Sequence, residues 1–261
     1  MPLSRRAMLQ AMAGALAAPF HLSAVVAQPV SPKTVTMSPI NKSLTVSPNG
    51  RHLLLPDGIP FLYLADTAWE LLHRLNQEDS ERYLTARASQ GFTAVQTVIL
   101  GERNGLRLPT PDGHVPFHDL DPLKPNEAYF KHVDSVVRRM NDLGMFAALL
   151  PTWGDKIANQ VGEGPQVLNP ENARAYGRFI GERYRDANVV WILGGDRDTS
   201  RPPYLETVRE IAHGLREGDQ GRHLMSFHPP GGRSSSDFVH EESWLDFHMW
   251  QTGHSRPSMD T

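Results

Sequence analysis

From Leu44 onward, short apolar runs alternate with stretches of helical period, and few folds accept that order. Residues 61–65, 94–100, 145–150, 189–193, 223–227 and 245–249 are nearly continuous in apolar character. Strands of that kind are covered on both faces, as in a parallel sheet flanked by helices. The gaps between them carry helix signals. Asn126 can cap a helix with Tyr129, Val133, Val136, Val137, Met140 and Leu143 on one face and Gly144 at its end. Asn169-Pro170-Glu171 opens another, bearing Ala173, Tyr176, Phe179, Ile180 and Tyr184. Tyr204, Leu205, Val208, Ile211, Ala212 and Leu215 repeat the spacing ahead of Gly218, and residues 80–89 predict a shorter helix ending at Gly91. Before all of these, Leu44-Thr45-Val46 and Leu53-Leu54-Leu55 flank the turn signal Ser47-Pro48-Asn49-Gly50, so a hairpin opens the domain.

Regular β-α alternation means a parallel sheet with right-handed crossovers. The expected fold class is therefore α/β, a (β/α)8 TIM barrel preceded by a short β-hairpin. A closed barrel needs eight strands, whereas six runs are present and 12 residues follow Met249. The barrel domain is accordingly expected over residues 43–261, complete only through about strand six and lacking its C-terminal units. An open doubly wound sheet is the alternative. No Gly-x-Gly-x-x-Gly follows the first run, which argues against a dinucleotide-binding version of it.

The N-terminus points to export. Ser4-Arg5-Arg6-Ala7-Met8-Leu9 resembles the twin-arginine signal, and Ala11 to Ala18 forms a weakly apolar stretch behind it. Val25-Val26-Ala27 offers small residues for a signal peptidase. Pro19 and His21 interrupt the stretch, so a permanent membrane anchor is not expected. A signal peptide over residues 1–27 and a flexible linker over 28–42 follow, with a periplasmic or secreted product and the twin-arginine machinery as a partner. A net charge of -3 supplies no positive field for nucleic acid. Cysteine is absent, which removes disulfides and thiolate chemistry.

In a (β/α) barrel, chemistry sits where strands run into the following loops. Those positions hold Asp66, Trp69, Glu102, Trp153, Asp155, Asp196, His228 and Gln251. Tryptophan faces can cover the apolar side of a sugar ring, while acids and amides take up its hydroxyls. A pair of carboxyls can then cleave a glycosidic bond. Asp196 follows two glycines, which let backbone or substrate approach closely; it is the candidate catalytic residue, and the other seven are candidate substrate contacts. Each has a plainer reading as a helix cap, ion pair or packing group. The 12 histidines contain no His-Glu-x-x-His, so neither metal nor cofactor is expected.

Several segments resemble glycoside hydrolase family 140, the apiosidase-like family. They are Asp66-Thr67-Ala68-Trp69-Glu70, Asn126-Glu127-Ala128-Tyr129-Phe130, Pro151-Thr152-Trp153-Gly154-Asp155-Lys156, Trp191-Ile192-Leu193-Gly194-Gly195-Asp196-Arg197 and His228-Pro229-Pro230-Gly231-Gly232. The resemblance implies a retaining glycosidase barrel, commonly followed by a small β-sandwich. It implies pectic oligosaccharide or polysaccharide as substrate and apiose as the sugar released. Asp196 becomes the general acid/base, opposite a glutamate nucleophile at strand seven, a strand this chain is expected to lack. That expectation leaves the chain as an inactive portion of the enzyme, or as a carbohydrate-binding barrel remnant without turnover. A metal-dependent hydrolase using His228, His248 and His254 is a more distant reading.

Overall fold

The computed structural model of the chain describes residues 43–158, 162–200 and 202–253. The expected signal peptide (1–27), the expected linker (28–42) and His254 lie outside the described residues.

The opening hairpin forms as its turn chemistry requires. Strand β1 (Thr45–Val46) pairs antiparallel with β2 (Leu53–Leu54). Ser47 Oγ accepts from the backbone N–H groups of Arg51 and His52 and closes the turn. Five parallel strands follow: β3 (Ala65–Thr67), β4 (Ala94–Val98), β5 (Phe146–Leu150), β6 (Val189–Gly194) and β7 (Met225–His228). Their order in the sheet is their order in the chain. A doubly wound sheet reverses its strand order at a switch point. Sequential order therefore decides for the barrel arrangement and against the open alternative.

Among the described residues, six α-helices accompany the strands: α1 (Leu71–Arg74), α2 (Gln77–Ser89), α3 (Glu127–Asp142), α4 (Pro170–Tyr184), α5 (Tyr204–Asp219) and α6 (Ser236–Val239). Asn126 caps α3 as expected, accepting from Ala128 N at 3.1 Å. Asn169 and Asn172 form a reciprocal capping box at the start of α4. Two helix boundaries differ from the sequence reading. Helix α2 starts at Gln77 rather than Ser80, because Asn76 caps it by accepting from Asp79 N at 2.8 Å. Helix α5 passes through Gly218 and ends at Asp219, where Gln220 turns the chain with a φ of 58°. Gly218 is there for packing, since a Cβ on it would strike the Arg178 carbonyl of α4.

Alternation along the strands sorts the core into two layers. Ala94, Val98, Phe146, Ala148, Leu150, Val190 and Ile192 point inward, where Leu44 of the hairpin joins them. Val95, Ala147, Leu149, Val189, Trp191, Leu193, Met225 and Phe227 point outward against the helices. The sixth apolar run does not continue the ladder. Asp246 N–H donates to the Met225 carbonyl at 2.9 Å, but Met225 N–H donates to the Asp246 side chain at 2.7 Å. A carboxylate has replaced the next backbone acceptor, so 245–249 runs beside β7 without becoming a strand of the sheet. The chain then forms an antiparallel pair, β8 (Arg233–Ser234) with β9 (Trp250–Gln251). That pair sets Gln251 beside the C-terminal ends of the inward-facing strands.

Candidate functional site

The end of β6 is shaped by crowding. Gly194 and Gly195 have φ values of 95° and 115°. A Cβ on Gly194 would lie 2.5 Å from the His228 carbonyl, and one on Gly195 would lie 2.6 Å from Gly154 N. Only glycine satisfies both the backbone conformation and the space. Asp196 follows in the left-handed region at φ 60°. Such a conformation costs a residue with a Cβ about 1–2 kcal/mol, so the surrounding packing holds it there.

Three side chains hold the Asp196 carboxylate or act on it. Gln251 Nε2 donates to Oδ1 at 2.9 Å. His228 Nδ1 lies 3.3 Å from the same oxygen, an ion-pair distance without full hydrogen-bond alignment. Arg197 is buried, and its Nη1 donates to the Asp196 carbonyl at 3.0 Å. Burial by itself would push the Asp196 carboxyl up. His228, Gln251 and the Arg197 charge together outweigh it and hold the group below the usual range. The carboxyl therefore favours its ionised form, whereas a general acid must carry a proton when substrate arrives.

Gln251 and His228 also line a neighbouring cleft of about 310 Å³, together with Thr67, Trp69, Gln96 and Trp250 among others. Trp69 stands edge-on to His228 with ring centres 5.1 Å apart, and Trp153 packs 5.3 Å from Trp69. Trp153 is almost fully buried, with its Nε1 unpartnered. It packs against Trp69 and, with ring centres 5.8 Å apart, against His228. Thr67 and Gln96 were missed from the sequence. Both sit at inward positions of their strands, and Gln96 Oε1 is a buried acceptor without a partner. The period-two alternation of β4 was the available signal for Gln96.

Two other expected contacts are committed elsewhere. Asp66 occupies an outward position of β3 and faces α2. It accepts from Tyr83 Oη at 2.7 Å and from Arg87 Nε. It therefore fastens a helix to the sheet. Asp155 is completely buried against an equally buried Lys156, with Nζ 2.8 Å from both carboxylate oxygens. Its Oδ2 also accepts from the backbone N–H groups of Glu163 and Gly164. That is a loop anchor, closed off from solvent. Glu102 is half-buried near this pair. Burial first, then the Asp155 charge, push its carboxyl up, and Glu70 and Asp196 add to the effect. His228 and His248 have separate partners, His248 being bound to Ser235 and His240. Among the described residues, no three His, Asp or Glu side chains are grouped to hold a metal ion.

Comparison with known proteins places this geometry in context. The sequence profile of the apiosidase-like catalytic domain matches residues 47–261. A glycoside hydrolase family 5 protein from Bacteroides vulgatus superposes with a TM-score of 0.73 at 31% identity, over 83% of this chain and 45% of its own. A second solved glycoside hydrolase gives 0.73 at 29% identity, over 83% and 47%. A family 5 mannosidase from Rhizomucor miehei, at 16% identity and a TM-score of 0.52 over 70% of this chain and 55% of its own, shares the fold. The chain thus spans about half the length of the first two solved relatives. No curated protein sequence matches it.

Proposed function

The chain belongs to the apiosidase-like family of catalytic domains, and on that premise we propose that it acts as a retaining glycoside hydrolase on pectic oligosaccharides, with Asp196 as general acid/base. Family and fold carry the glycosidase activity. The observation that supports the choice of Asp196 is its position: a carboxylate at the end of the fourth parallel strand, held beside a cleft with an aromatic wall. In the double displacement, Asp196 protonates the departing glycosidic oxygen while a second carboxylate attacks the anomeric carbon. Asp196 then takes a proton from the water that releases the sugar. The nucleophile belongs about 5–5.5 Å away, on a strand beyond the five of the described sheet. Apiose as the released sugar rests on the family's name.

Asp196→Ala tests the assignment. Hydrolysis of glycosides with poor leaving groups should fall by about 10²–10⁴-fold, with a much smaller loss for activated aryl glycosides. Equal rates for the variant and the wild type would move the acid/base role to another residue.

A second reading has one observation in its favour. The depressed Asp196 carboxyl suits an anion that accepts sugar hydroxyls, which a binding barrel without turnover also needs. Calorimetric binding of pectic fragments with no released sugar would select it. The proposal extends to location: Arg5-Arg6 and the apolar stretch behind them support export. Arg5→Lys with Arg6→Lys should retain the protein in the cytoplasm on cell fractionation, and undiminished export would remove that part.

A further inference from the structure

We propose that His228 and Gln251 are positioning residues that occupy one oxygen of Asp196, so that the other alone meets the glycosidic oxygen. The inference rests on the glycosidase reading above. Gln251 Nε2 and His228 Nδ1 both address Oδ1, at 2.9 and 3.3 Å, and neither addresses Oδ2. Gln251 Nε2 also lies 3.4 Å from His228 Nε2. One arrangement of hydrogens serves all three contacts. The Gln251 amide gives one hydrogen to Asp196 and the other to His228 Nε2. His228 Nε2 then carries the lone pair, and Nδ1 carries the hydrogen that faces Asp196.

This arrangement suits a group that must act twice. When the Asp196 carboxyl is protonated on Oδ2, Oδ1 is its carbonyl oxygen and still accepts. When Oδ2 has given its proton to the leaving oxygen, Oδ1 accepts more strongly. The anchors need not move while the proton leaves Oδ2 and later returns from water. They also come from two elements: His228 ends β7 and Gln251 ends β9. The carboxylate is therefore braced from two directions against rotation. The other ionisable groups that act on Asp196 or feel its charge are Arg197, Glu102 and Tyr204. Arg197 favours the anion as the anchors do, and all three groups remain in place when an anchor is removed.

The test follows the Asp196 carboxyl by ¹³C NMR across pH in the wild type, His228→Ala, Gln251→Ala and His228→Asn, each first shown to be folded by its thermal melt. Each alanine variant loses a donor that favours the anion, so the carboxyl midpoint should rise by about one unit. The basic limb of kcat/KM should move up with it. The kcat should fall more for a poor leaving group than for an activated glycoside. His228→Asn places an amide N–H near the position of Nδ1 and should restore the low midpoint. Unshifted midpoints in the folded alanine variants would overturn the proposal, as would equal losses on activated and unactivated substrates. The NMR midpoint requires no turnover. A wild type that cleaves no glycoside would therefore count against the glycosidase reading while this measurement still decides the anchoring.

Discussion

Asp196 stands where it does because residues without a Cβ surround it. Gly154 and Gly195 press their backbones together, and Gly194 lies under the His228 carbonyl. Replacing Gly195 with alanine adds a strained φ and a methyl 2.6 Å from a backbone nitrogen. The expected loss is about 1–3 kcal/mol, which at this size lowers the melting temperature by roughly 2–4 °C per kcal/mol. Activity should fall further than stability, because the carboxylate moves with the loop. A variant with wild-type melting and turnover would show that the crowding is relieved at no cost. The close approach of backbone just before Asp196 was legible in the sequence from its two preceding glycines. The role of Asp66 was not. The apolar run 61–65 suggests a strand that ends before it, whereas β3 begins at Ala65 and turns Asp66 outward to Tyr83 and Arg87. Thr67 and Gln96 were hidden for the opposite reason: polar residues at inward positions read as surface until the barrel mouth is built around them.

At the scale of elements, local signals and long-range pairing fared differently. The caps at Asn126 and Asn169 and the turn at Ser47 are contacts within a few residues, and they form as read. The failure of 245–249 to join the sheet depends on Asp246 reaching Met225 and Arg216 from across the fold, which no local pattern contains. The loop after β5 is similar. Asp155 looked like a strand-end acid available to substrate, yet burial has closed it into a pair with Lys156 that ties down Glu163 and Gly164. Asp155→Ala would leave a buried ammonium without its partner, a loss expected at about 3–5 kcal/mol. The fall should be visible in denaturant unfolding, with KM changed only as far as the fold is. Unchanged stability with a raised KM would return Asp155 to the substrate contacts.

For the whole molecule, sequential strand order was the property with the longest reach. It follows from the β-α alternation, it excludes the doubly wound alternative, and it brings residues of β3, β4 and β7 to one cleft. Into that cleft fall an inward Thr67, an inward Gln96, His228 and Gln251, and Gln251 holds Asp196 beside it. The fold thus supplies a braced carboxylate beside an aromatic wall, and family membership is the ground for the proposed class of reaction. Both halves of that statement meet in Asp196→Ala given an activated glycoside and azide. Azide should accelerate turnover and yield a glycosyl azide of the substrate's own anomeric configuration. No acceleration, or a product of inverted configuration, would contradict a double displacement in which Asp196 is the acid/base.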